Sequence, residues 1–433
     1  MIKAAEVMMR GWRGRLLLGG GLVGLVLGFL RQVSDDEPQV QPMTQEVYVW
    51  LRVWTEQVDR SVTERLPYFA RATVLVAEVN RDRSGGWKIE MFADPLAYAK
   101  KHEVALAIRI GSGSGAGETG NLGWDPAAVE KVLKTLRPMS KHTKTFQIDY
   151  DCPTGKLANY VKLCVVLKKE FPDHAFEITC LPDWLDREDF QALVNSVDRF
   201  VMQVHGVSGY GGAGTLCDPR LAQLTAERCG EFGVPYLIAL PTYRHAVRRN
   251  AEGKVIEVVS EGGGMKPGVA YELMSARQDE MAQLVRAWKV DRPAFMQGVI
   301  WYRLPVEGER MNWTWSSLQR VMCGEEVDLS WKVRFDREAN GSYVMVLEDD
   351  TEASLEWPTA LHVSWSSGFC VASDTGREYQ FESMDRQRGV TCRWKAIDPR
   401  PVPPGVKIKV AWFRFSEEVS VPMNVEIRKT VGL

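Results

Sequence analysis

Apolar positions fall in short unbroken runs over the first two-thirds of the chain. "EVYVWLRV" (46–53), "ATVLVAEV" (72–79), "EVALAIRIG" (103–111) and "FQIDYD" (146–151) come first. "FEITCLP" (176–182), "RFVMQVH" (199–205), "PYLIALPTY" (235–243) and "FMQGVIWYRLP" (295–305) follow. Runs this short, rich in β-branched and aromatic residues, predict strands covered on both faces. Amphipathic segments lie between them. "DPAAVEKVLKTL" offers Asp125 as a cap and Pro126 at the first helical position. "DREDFQALVNSV", "DPRLAQLTAERCGEF" and "ELMSARQDEMAQLVRAWKV" repeat the theme. Eight strands alternating with helices predict an α/β fold, a (β/α)8 TIM-like barrel over residues 46–326. A doubly wound open sheet is the alternative, because a strand count does not show closure. "WKIEMF" (87–92) reads as an extra strand in the second connection.

From Val327 the period changes. "WKVRFD", "SYVMVLED", "ALHVSWSS", "FCVAS", "VKIKVAWFRF" and "MNVEIRKT" alternate apolar and polar residues with no helix-length segment between them. This predicts a C-terminal all-β sandwich over residues 327–433. At the other end, Lys3, Arg10, Arg13 and Arg15 precede "LLLGGGLVGLVLGFL" (16–30). As a helix this run reaches about 22 Å, short of the roughly 30 Å hydrocarbon core. Residues 1–31 therefore read as a signal peptide or signal anchor, followed by a polar linker over 32–45. An exported protein is expected, periplasmic, secreted or held at the inner membrane, touching the membrane only through this segment.

Composition narrows the function classes. A net charge of −2 leaves no basic footprint for nucleic acid. Fifteen tryptophans and twelve tyrosines exceed what a core needs and suit a stacking ligand such as a sugar. The eight cysteines contain no CxxC pair, so zinc-ribbon spacing is absent. Cys370 and Cys392 are the best-placed pair for a disulfide, and the others read as small apolar residues.

The candidate chemistry lies in "FQIDYDCPTGKLANY" (146–160). Residues two apart on a strand share a face, so Asp149 and Asp151 point the same way, about 6.6 Å apart along the strand. In a barrel they face the axis at the C-terminal rim, where barrel enzymes keep their sites. A structural pair that caps the following helix is the alternative. Other strand ends supply company: Glu78, Arg109, Gln203, His205, Tyr243, Trp301 and Arg303. Arg109 and Arg303 suit counter-charges, and Trp301 an apolar floor for a sugar ring. Glu118 lies in the glycine-rich "GSGSGAGETGN" (111–121), one of three such stretches read as loops over the mouth. None contains GxxxxGK[ST], so no phosphate cradle and no cofactor is expected. Asp149, Asp151 and His205 have the donor types of a metal site, but no HxH or HExxH spacing supports one and no metal is expected.

The same strand resembles chitinase-type glycoside hydrolases, whose fourth barrel strand carries DxxDxDxE. Phe146 stands at the first acidic position, Asp149 and Asp151 match the next two, and Pro153 replaces the glutamate. That family's proton donor is missing, so its substrate-assisted mechanism does not carry over. "FQIDYDCPTGKLANY", "ITCLPDWL" (178–185), "VMQVHG" (201–206) and "NWTWSSLQRVMCG" (312–324) also resemble an uncharacterised bacterial family of exported barrel proteins. This resemblance implies a barrel and an envelope or exported location, and no activity.

Two functions remain open. One is a glycoside hydrolase acting on a polysaccharide, with Asp151 as the rim acid or base, Asp149 tuning it, and Glu78 or Glu118 as the second carboxyl. The other is a non-catalytic carbohydrate-binding or envelope scaffold protein, with Trp184, Tyr210, Tyr243 and Trp301 as stacking platforms.

Overall fold

The computed structural model describes residues 42–428, leaving out 82–85, 112–125, 208–214, 261–264, 267–268, 270, 326–330, 350–357, 396–405 and 419–423. The N-terminal segment, Glu118 and Tyr210 lie outside the described residues. Among those described, no helix is long and apolar enough to cross a membrane.

The apolar runs become the strands β1 Thr44–Val49, β2 Arg71–Arg81, β4 Ala105–Ile110, β5 Thr145–Tyr150, β6 Ala175–Cys180, β7 Arg199–Gln203, β8 Tyr236–Pro241 and β12 Met296–Tyr302. All pair in parallel, in the order β1-β12-β8-β7-β6-β5-β4-β2. Val47 meets Trp301 on one side and Ala72 on the other, so β1 closes the ring. The barrel is therefore closed and the open sheet is excluded. The run at 87–92 is a strand, β3 Trp87–Met91, antiparallel to the outer part of β2.

Closure leaves two faces with different chemistry. The outward faces of the strands meet the helices in one apolar cluster that includes Ile148, Phe176, Phe200, Trp184, Trp301 and Trp313. The interior is stacked in layers. Its N-terminal floor is ionic: Arg71 donates to Glu46 at 3.0 Å and to Glu177 at 2.6 Å, and Arg199 pairs with the same two carboxylates at 2.7 and 2.9 Å. Above lies an apolar layer with Tyr48, Leu75, Ala107, Val201, Leu237 and Ile300. The C-terminal end is an open polar cavity.

One insertion was not anticipated. Between β8 and the helix Gln278–Val290 runs a three-stranded antiparallel sheet, β9 Arg244–Arg249, β10 Val255–Val259 and β11 Glu272–Ser275, with β9 in the middle. It packs through Val247 and Met274 onto Leu216 and Tyr243 at the barrel rim.

The C-terminal region is a two-sheet sandwich, as expected, with eight strands among the described residues rather than six. β13 Lys332–Arg337, β14 Tyr343–Glu348, β15 Ala360–Ser364, β16 Cys370–Thr375, β17 Tyr379–Asp385, β18 Gly389–Trp394, β19 Lys407–Phe415 and β20 Asn424–Arg428 form sheets ordered β13-β14-β19-β16 and β17-β18-β15-β20. Cys370 and Cys392 sit on opposite sheets and fill the shared core as free thiols, which corrects the disulfide expectation.

Candidate functional site

Asp149 is the fifth residue of β5 and Asp151 the first beyond it, so the strand's alternation carries both toward the mouth while Ile148 and Tyr150 meet the helices. The two differ sharply in setting. Asp149 is 7% exposed, whereas the Asp151 side chain is 57% exposed. Arg109, the matching residue on neighbouring β4, bridges them: its Nε lies 3.8 Å from Asp149 and its Nη2 3.5 Å from Asp151. Below, Thr179 Oγ1 donates to Asp149 Oδ1 at 2.8 Å and Gln203 Nε2 at 3.4 Å. Burial, joined by the charge of Asp151, lifts the Asp149 carboxyl to about 6, while Arg109 and these hydrogen bonds oppose the rise.

These groups line a cavity of about 370 Å³ at the C-terminal ends of the strands. Its other walls are aromatic and basic. His205, just past β7, stacks on Tyr302 and meets Tyr243, with Nδ1 3.2 Å from the Tyr243 hydroxyl. Burial, with a smaller push from His245, lowers His205 to about 4, so its imidazole is neutral at physiological pH. Tyr48 and Trp50 of the β1 edge pack edge-on against each other and against Tyr302. Arg244 and His245 enter from the inserted sheet, and Arg52 from the loop after β1. The Tyr302–Arg303 peptide bond is cis.

The structure thus brings Asp149, Asp151, Arg109, Gln203, His205 and Tyr243 together around one cavity. Glu78 lies beside it, buried, accepting from Arg52 Nε at 3.0 Å and from Asn80 at 3.4 Å. Three expected placements are corrected. Trp301 is fully buried on the outer face of β12, where its Nε1 donates to Gln45 at 2.7 Å and its ring meets Trp313. It is one residue out of register for the interior, and Tyr302 takes the inward position. Trp184 is likewise sealed in the helix layer against Tyr160 and offers no platform. Arg303 reaches the cavity wall, but its guanidinium is bound by Glu309 and the Leu304 carbonyl, not by the aspartates.

Sequence reasoning missed Tyr48, Trp50, Arg52, Thr179, Arg244, His245 and Tyr302. Tyr48 and Trp50 sit inside an apolar run and read as core. Thr179 carried a usable signal, since it shares the inward parity of Glu177 on β6.

Several solved structures are similar to this chain at low identity. The spore cortex-lytic enzyme SleL of Bacillus megaterium is 13% identical, with 61% of this chain and 71% of that one covered at a TM-score of 0.43. Chitinase ChiA74 of Bacillus thuringiensis is 8% identical, with 89% and 100% covered at 0.45. A chitinase of Bacteroides thetaiotaomicron is 14% identical, with 61% and 90% covered at 0.45. No curated protein matches. The family model described as "Domain of unknown function (DUF3142)" matches residues 118–307, and the chain is similar to it over the stretch that holds β5 to β12 and both aspartates.

Proposed function

We propose that this protein is an exported, glycoside hydrolase-like barrel that acts on a polysaccharide or oligosaccharide. The observation that carries the reading is the couplet Asp149 and Asp151, joined by Arg109 and set in a polar, aromatic cavity at the C-terminal mouth. Glycoside hydrolysis needs one carboxyl that gives a proton to the leaving oxygen and one carboxylate that attacks the anomeric carbon or activates water. Asp151 is the exposed member that meets substrate. Asp149, lifted by burial, lies beneath it and sets its charge environment. Glu78 and Glu118 are the candidates for the second carboxyl, and Glu78 must exchange its bond with Arg52 for substrate to serve.

Reducing-end release from a panel of cell-wall and plant glycans tests this. Asp151→Asn is expected to lower turnover by about 10²-fold or more with an unchanged far-UV spectrum; unchanged turnover removes Asp151 from the chemistry. Glu78→Gln and Glu118→Gln identify the partner by the same loss.

One observation favours a second reading, a carbohydrate-binding or envelope scaffold protein without turnover. Pro153 stands where the chitinase-type strand carries its acid. Glycan binding with no reducing-end release decides for it.

A further inference from the structure

Buried polar atoms that fold without a partner are costly, so a group of them around one cavity points to a ligand that completes them. Four such atoms belong to side chains that line the mouth cavity: Tyr48 Oη, Trp50 Nε1, His205 Nε2 and His245 Nδ1. Tyr48 is 2% and Trp50 7% exposed, so both atoms are closed to water in the ligand-free protein and a ligand meets them only after a small turn of the two side chains. Other orphaned atoms, such as Trp184 Nε1 and Trp365 Nε1, belong to side chains that do not line this cavity.

The orphans occupy two sides. Tyr48 and Trp50 belong to the β1 wall, and His205 and His245 stand at β7 and on the inserted sheet. In the ring of eight, β5 with the aspartates is separated from β1 by two strands on the shorter path, so the carboxylates and the β1 wall flank the space between them. The Trp50 N–H only donates, the Tyr48 hydroxyl does either, and neither carries charge. Beside them the rings of Trp50 and Tyr302, 5.8 Å apart, add apolar surface. Uncharged donors next to aromatic rings suit a neutral polyhydroxylated ring better than an anion, which would need cations, and the arginines of the lining are engaged: Arg109 with the aspartates, Arg52 with Glu78, Arg303 with Glu309 and Arg244 with the carbonyls of Arg310 and Asn312. A volume of about 370 Å³ is at the small end for ligand sites and takes a short piece of chain.

We propose that Tyr48 and Trp50 form the substrate-holding wall of this cavity, receiving oxygen atoms of a neutral sugar residue through the Tyr48 hydroxyl and the Trp50 N–H. This inference rests on the saccharide reading above and names the class of residue and the side chains that grip it. Tyr48→Phe and Trp50→Phe remove the hydroxyl and the N–H while keeping an aromatic ring. Calorimetric titration of the full chain with cello-, xylo-, manno- and chitotetraose, with thermal melts of the ligand-free proteins, is the test. One tetrasaccharide is expected to bind the parent protein and to bind each variant about tenfold more weakly. The ligand-free melting temperature is expected to hold or rise for Tyr48→Phe, which deletes one atom that had no partner, and to fall for Trp50→Phe, which also removes ring volume from a packed site. Equal binding by parent and variants overturns this proposal alone. Lower melting temperatures with unchanged binding assign the two side chains to packing and also overturn it. Failure of the parent protein to bind any of the four overturns it together with the proposed function.

Discussion

Asp149 stands out at the scale of single residues, because it is a carboxyl held in a place that resists its charge. It is raised from 3.8 to about 6, so the folded chain binds more protons than the unfolded one across that window. The stability this adds is present below pH 4 and is lost as the pH climbs through 6. His205 runs the other way: lowered to about 4, it contributes stability above pH 6.5 that is lost as the pH falls toward 4. The two slopes oppose each other in the parent protein, and a difference measurement separates them. Asp149→Asn is expected to be close to neutral at pH 4 and to stabilise by up to about 3 kcal/mol at pH 7.5. An equal effect at both pH values in urea titrations would mean that the fold does not raise the Asp149 carboxyl. The couplet itself was legible in the sequence, since spacing by two fixes a shared face whatever the register. Trp301 and Arg303 were not, because a strand-end residue shown by apolarity alone has no parity, and a slip of one sends it to the other side.

At the scale of elements, the barrel strands were legible because burial on both faces demands unbroken apolar runs. The inserted sheet was not, for a physical reason. "RHAVRR" on β9 is mostly polar, and only Ala246 and Val247 are fully buried, so its sequence resembles a loop. Its cohesion comes from cross-strand ion pairs, Arg248 with Glu257 and Arg249 with Glu272, and from one small apolar contact with the rim. The ion pairs are partly exposed and contribute little. The apolar contact therefore adds to the hold on Arg244, whose backbone N–H and guanidinium also donate to the Met311 and Asn312 carbonyls, and steadies His245 beside it. Met274, fully buried in it, is the residue to remove. Met274→Ala is expected to cost about 2–5 kcal/mol of local stability and to weaken glycan binding, leaving the barrel's far-UV spectrum and its strand protection in hydrogen exchange intact. Loss of protection in β5 along with the sheet would show that the insertion supports the barrel and does more than wall the cavity.

The whole molecule places its two charged layers at opposite ends of one closed ring, and they carry different burdens. At the mouth, two carboxylates face one bridging arginine, and the chemistry is open to solvent on the Asp151 side. At the floor, two carboxylates face two arginines, all largely buried: Arg199 is 11% exposed and Glu177 4%. Burial raises Glu177 to about 7 against the pull of Arg71, so the floor depends on its cations to keep both acids ionised near neutrality. Removing one partner of a buried ionic group leaves uncompensated charge, which costs far more than the pair's net contribution. Arg199→Met is accordingly expected to destabilise by about 3–5 kcal/mol at pH 7.5. The loss should shrink toward pH 5, where Glu177 takes up a proton and needs the cation less. Because the apolar layer separates floor from mouth, saccharide affinity measured well below the melting temperature should stay within about twofold of the parent value. A drop in affinity comparable to that of the mouth variants would show the two ends to be coupled through the strands, and would move the floor from the stability side of the barrel to its functional side.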